Sequence, residues 1–139
     1  MFPHIHMLQR GVRQMYLFLV LLFLNSLAFG QGFEGYYRYP DIHKNKLIFT
    51  AEGDLWTVPL SGGLAQRLTT HPEEELYPAF SPDGKSIAFS ASYEGPLEVY
   101  TMAVNGGLPT RWTYERDVSI VNTWDPEGRV VYNTRGPVS

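Results

Sequence analysis

Hydrolysis of a peptide needs an activated nucleophile, a base within about 3 Å of it, and donors for the developing oxyanion. The chain offers few candidates for these roles. Ser81 stands in Ser81-Pro82-Asp83-Gly84, and His43 and His71 are the histidines outside the N-terminal segment. No G-x-S-x-G elbow surrounds any serine and no H-E-x-x-H is present, so Ser81 reads as the cap of its own turn. Neither histidine has a companion His or a spaced acid that would complete a metal-ligand set, and both read as lone surface histidines. His4 and His6 fall in a leader. Glu73-Glu74-Glu75 could attract a cation, but without a rigid framework it reads as a solvated loop. Gly62-Gly63 and Gly106-Gly107 lack the spacing and the following helix of a phosphate cradle, and read as hairpin turns. The expectation is therefore a chain with no catalytic, metal-binding or cofactor-binding residues of its own.

Composition narrows the remaining classes. There is no Cys, which excludes disulfides, thiolate zinc sites and a cysteine nucleophile. The 139 residues carry a formal charge of −3 with no basic run or stripe, so nucleic acid is not an expected partner. Thirteen Gly and ten Pro imply many turns and favour a β-rich fold over a helical one.

The first thirty residues are of a different kind. Arg10 and Arg13 precede the apolar run Met15 to Leu24, reading MYLFLVLLFL. As a helix this run is about 15 Å long, half of a bilayer core of roughly 30 Å. Ala28 and Gly30 then supply the small residues that a signal peptidase reads, which places cleavage between Gly30 and Gln31. The expectation is a signal peptide over residues 1–30 and export to the periplasm or the extracellular space. An uncleaved membrane anchor is the competing reading of the same stretch.

Beyond Gly30 the chain repeats itself. Leu47-Ile48-Phe49 recurs as Ile87-Ala88-Phe89, an offset of 40. Asp54-Leu55-Trp56 recurs as Glu98-Val99-Tyr100, Gly62-Gly63-Leu64 as Gly106-Gly107-Leu108, and Arg67-Leu68-Thr69 as Arg111-Trp112-Thr113, each offset by 44. A third copy opens when Ala79 to Lys85 recurs as Thr123 to Arg129, again 44 residues on. The change of offset falls at Tyr93-Glu94-Gly95-Pro96, an insertion in a loop. Short strands at a period of about 40–45 residues are the signature of a β-propeller with four antiparallel strands to a blade.

The second copy predicts its strands directly: Leu76 to Phe80, Ser86 to Ala91, Leu97 to Ala103 and Leu108 to Thr113. Alternation puts Ile87 and Phe89 on one face and Ala88 and Ser90 on the other, as expected of a sheet covered on both sides by its neighbours. Trp56 and Tyr100 are equivalent, as are Leu68 and Trp112, and all read as wedges between blades. The predicted architecture is all-β: one blade over about 36–70, a second over about 76–114 and the start of a third over about 120–139. Residues 31–139 thus make an incomplete propeller of about two and a half blades.

The strings carrying this repeat also resemble a known family. Tyr39-Pro40-Asp41-Ile42, Leu47 to Trp56 and Val58 to Thr69 resemble the opening blade of tricorn-type proteases, and Tyr77 to Lys85 is similar to the next. The Ser-Pro-Asp-Gly turn is shared with TolB-like propellers, whereas Ala51-Glu52-Gly53-Asp54-Leu55-Trp56 favours tricorn. The resemblance implies a six-bladed propeller that filters or channels peptides, followed by a seven-bladed propeller, a PDZ domain and a serine-peptidase core. Its implied partners are peptides or unfolded polypeptide, the remainder of the same protease, and other copies in a full-length homo-oligomer. The catalytic residues implied by the family match no position here. The alternative is a TolB-like periplasmic propeller that docks a protein partner and catalyses nothing.

Overall fold

A computed structural model describes residues 36–135 of the chain, so the Gly30–Gln31 cleavage point lies outside the described residues. Among the described residues there are ten strands and no helix. The first sheet is β1 (Arg38–His43), β2 (Lys46–Ala51), β3 (Asp54–Pro59) and β4 (Gln66–Arg67), in spatial order β1-β2-β3-β4. The second is β5 (Glu75–Phe80), β6 (Ser86–Ala91), β7 (Glu98–Ala103) and β8 (Thr110–Arg111), in the order β5-β6-β7-β8. A third, two-stranded sheet pairs β9 (Val118–Trp124) with β10 (Val130–Arg135). All the pairings are antiparallel. Each meander completes its own sheet, because the Pro- and Gly-rich connections are too short for anything but hairpins. These are propeller blades, as the period of the sequence predicts.

The blades meet as the predicted alternation requires. Ile48 and Leu55 of the first sheet pack against Ile87, Phe89, Ala91, Tyr100 and Met102 of the second. The opposite face of the second sheet, with Ala79, Ala88 and Val99, receives Val121 of β9. Small residues on that face let the next blade approach closely. Its backbone comes near enough for the Val121 N–H to bond Ser90 Oγ at 2.9 Å, and the Trp124 indole N–H bonds the Ala79 carbonyl at 2.9 Å. The opening strands of the three sheets converge, with β1 against β5 and β5 against β9, which makes them the inner strands.

The outer strands differ from expectation. In place of Leu108 to Thr113, only Thr110–Arg111 forms a ladder, and Leu108 is exposed. Pro109 has no N–H to give, and Gly106 and Gly107 turn through positive φ, so pairing cannot begin earlier. The wedge assignment holds for Tyr100 and Leu68, which pack at the first joint. Trp112 instead stands 63% exposed, its indole N–H bonded to Thr101 Oγ1 at 2.7 Å. No described strand covers it, because β9 and β10 are the first two strands of the next blade.

Candidate functional site

The residues singled out in the sequence are not gathered into one place. Ser81 Oγ donates to Asp83 Oδ1 at 2.7 Å and accepts the Ser86 N–H at 2.9 Å, so it caps its turn. His43 is the last residue of β1 and is half-buried rather than freely exposed. Its ring packs 5.9 Å from the Phe80 ring and against Gly84, and its Nε2 is buried without a partner. His71 is exposed on the connection between blades, where its Nδ1 accepts the Glu73 N–H at 3.1 Å and its ring lies 3.9 Å from that of Tyr93. Among the described residues no three His, Asp or Glu side chains converge as metal ligands.

Two arrangements do bring chemistry together. The first lies on the inner strands. β1 and β5 carry irregular pairing at equivalent points, between Arg38 and Asp41 and between Leu76 and Ala79. At each, a tyrosine before proline sits at positive φ: Tyr39 at 53° and Tyr77 at 55°. Such a φ is strained for a bulky side chain, and bulges of this kind re-aim side chains. Here they bring the two phenol rings together, with centroids 4.1 Å apart. The neighbouring Tyr39 phenol is the main cause that raises the Tyr77 phenol above its ordinary pKa, followed by burial. The Arg38 guanidinium lies over the rings of Tyr36 and Tyr39 and pairs with Glu74 at 2.9 Å. The result is a wall of aromatic rings with an Arg–Glu pair on the inner strands.

The second is buried at the start of β3 in the first blade and of β7 in the second. In the second blade Glu98 accepts from Arg111 Nη2 at 2.9 Å with one oxygen and from Thr113 Oγ1 at 2.5 Å with the other. Thr113 Oγ1 in turn accepts the Val99 N–H at 2.8 Å, and Arg111 Nε donates to the Thr113 carbonyl at 2.8 Å. The first blade repeats the pattern with Asp54, Arg67 and Thr69. There, however, Thr69 Oγ1 donates to Glu75. Glu75 is fully buried and also accepts from Tyr93 Oη at 2.5 Å and from the Leu55 N–H at 3.3 Å. Burial is the chief cause that holds its carboxyl above the ordinary value, opposed by its hydrogen bonds to Thr69 and Tyr93. The acidic run is therefore three different residues: Glu73 exposed, Glu74 paired and Glu75 enclosed. The recurrence of acid, Arg and Thr at an offset of 44 was the available signal for the clasp; nothing local distinguishes Glu75 from its neighbours.

The comparisons with known proteins agree with this architecture. Residues 34–138 match the family described as the tricorn protease N-terminal β-propeller domain. Tricorn protease homolog 1 of Streptomyces coelicolor is 36% identical over 97 residues, covering 69% of this chain and 9% of that protein. A putative tricorn-like protease N-terminal subunit of Sulfurisphaera tokodaii is 39% identical over 57 residues, covering 41% of this chain and 29% of its own. Among solved structures, the tricorn protease superposes with a TM-score of 0.62 at 24% identity over 70% of this chain and 11% of its own. A putative TolB from Agrobacterium tumefaciens gives the same score and identity, covering 70% of this chain and 38% of its own. At that identity both structures speak to the fold alone.

Proposed function

The chain belongs to the family of tricorn protease N-terminal β-propeller domains, and from that premise we propose that it supplies part of a gate that selects peptides for an exported, tricorn-like serine peptidase. The observation that supports this reading is the cluster of Tyr39, Tyr77, Arg38 and Glu74 on or beside the inner strands, the strands that face the centre of a closed propeller. Phenol rings offer stacking and hydrogen bonding to passing polypeptide at little conformational cost. Backbone strain at two equivalent tyrosines further supports a selected orientation, since strain persists where surroundings over-determine it and concentrates at binding sites. The chain spans 9% of the length of the Streptomyces relative, and the hydrolysis itself is assigned to the remainder of the same protease.

The test is hydrolysis of fluorogenic peptides of increasing length by the complete protease and by its Tyr39→Ala/Tyr77→Ala variant. The expected result is unchanged kcat/KM for the shortest peptides and altered length selectivity. Identical selectivity in the two proteins would overturn the gating role. The purified chain alone is expected to hydrolyse none of them. Export is part of the proposal, and mass spectrometry of secreted material should find Gln31 at the N-terminus. An intact leader in the membrane fraction would count against it.

A further inference from the structure

The two clasps differ in a compensating way. Glu98 is long enough to reach both Arg111 and Thr113, and Ser119, the second residue of the following inner strand, is neutral. Asp54 is one methylene shorter and bonds Arg67, while the hydroxyl of Thr69 is taken by Glu75, at the position equivalent to Ser119. The equivalence is fixed by backbone bonds: Glu75 N–H to the Gly53 carbonyl at 2.8 Å and Ser119 N–H to the Leu97 carbonyl at 2.7 Å, each 44 residues apart. One blade thus uses an intrablade Glu with a neutral neighbour, and the other uses Asp with a Glu from across the joint.

The exchange has an electrostatic consequence. The first joint encloses two carboxyls, Asp54 and Glu75, against the single guanidinium of Arg67. Asp54 Oδ1 is buried without a partner. The other groups facing Glu75 are two phenols and an imidazole. Tyr93 and Tyr100 come from the second blade, Tyr100 lies beside the Glu98–Arg111 pair, and the His71 ring lies against Tyr93 from the connecting segment. A cavity of about 290 Å³, lined in part by Glu75, Thr69, His71 and Tyr93, lies beside the buried carboxyl.

We propose that Glu75 makes the joint between the first two blades a proton-tightened latch, which the Ser119 joint is not. Protonation removes the surplus negative charge while the carboxyl still bridges Thr69 and Leu55 of one blade to Tyr93 of the next. The sign follows from the direction of the shift. A carboxyl raised on folding contributes fully below its unfolded value of 4.5, and that contribution is lost as pH rises toward the raised folded value. Within that window the folding equilibrium constant falls by at most about tenfold for each pH unit through this one group. Because Glu75 is two residues before Tyr77 on β5, the latch and the aromatic wall share a strand.

The experiment is urea unfolding of the full chain from pH 4.5 to 8 for the wild type, Glu75→Gln, and the swap Asp54→Glu/Glu75→Ser, which transplants the chemistry of the second clasp into the first. Subtracting Glu75→Gln from the wild type cancels the acids the two proteins share. The difference should show wild-type stability declining with pH at up to tenfold per unit, with both variants flatter. Amide exchange supplies a local readout: protection of Leu55 N–H should fall with pH relative to that of its equivalent, Val99 N–H, in the wild type and not in the swap. Parallel stability profiles for wild type and variants would overturn the latch, as would equal pH dependence at Leu55 and Val99. If Glu75→Gln does not fold, the swap and the amide comparison decide. None of these readouts involves peptides, so failure of the latch is distinguishable from failure of the gate.

Discussion

Gly84 is glycine for two separable reasons, and the repeat provides the control that separates them. Its φ is +71°, in the left-handed region, where a residue with a Cβ costs about 1–2 kcal/mol more than glycine. A Cβ built there would also lie 2.5 Å from Cδ2 and Nε2 of His43 and 3.3 Å from its Cε1. The imidazole can escape only by giving up its place against Phe80, an overpacking cost of about 1–3 kcal/mol. Gly84→Ala should therefore destabilise by about 2–5 kcal/mol, combining both costs. Gly128, at the equivalent turn of the third blade, has φ of +81° and nothing within 4 Å of the same position, so Gly128→Ala should carry only the about 1–2 kcal/mol backbone cost. Urea unfolding of the two variants measures the difference. In the cycle with His43→Ala, the double variant should recover about 1–3 kcal/mol relative to additivity, because the clash is then absent. Equal losses for Gly84→Ala and Gly128→Ala, or strict additivity with His43→Ala, would refute the claim that this turn is packed against the preceding blade.

The joints between blades yield two more expected outcomes. Thr113→Val leaves the buried Val99 N–H without its acceptor and should cost about 1–3 kcal/mol, whereas Thr69→Val leaves Leu55 N–H bonded to Glu75 and should cost about 0.5–1.5 kcal/mol, both read by urea unfolding. The reverse order would mean that Glu75 does not accept from Leu55. Ala88→Leu inserts a larger side chain on the small-residue face of the second sheet, opposite Val121, and should cost about 1–3 kcal/mol, with the loss of amide protection concentrated on β9 and β10. Unchanged protection there would argue against close approach of the third blade.

The blades, their faces and their turns were legible in the sequence because each is a local property repeated in register. Alternation in Ser86 to Ala91 assigns Ile87 and Phe89 to one joint and Ala88 to the other, since side chains in a strand have a period of two. The Ser-Pro-Asp-Gly turn declares its own cap, since Ser81, Asp83 and Ser86 are close in the chain as well as in space. The family strings were legible for the same reason. The burial of Glu75 was not, because Thr69, Leu55 and Tyr93 reach it from two blades and only the packing of one sheet on the next encloses it. The packing of the His43 ring was not legible for the same cause: its neighbours, Phe80 and Gly84, belong to the following blade. The contact of Tyr39 with Tyr77 depends on two bulges whose φ values no residue pattern announces. Within a blade, contacts span one hairpin and sequence determines them; between blades, partners come from separate sheets, and only tertiary structure decides which polar groups lose their water and which side chains meet.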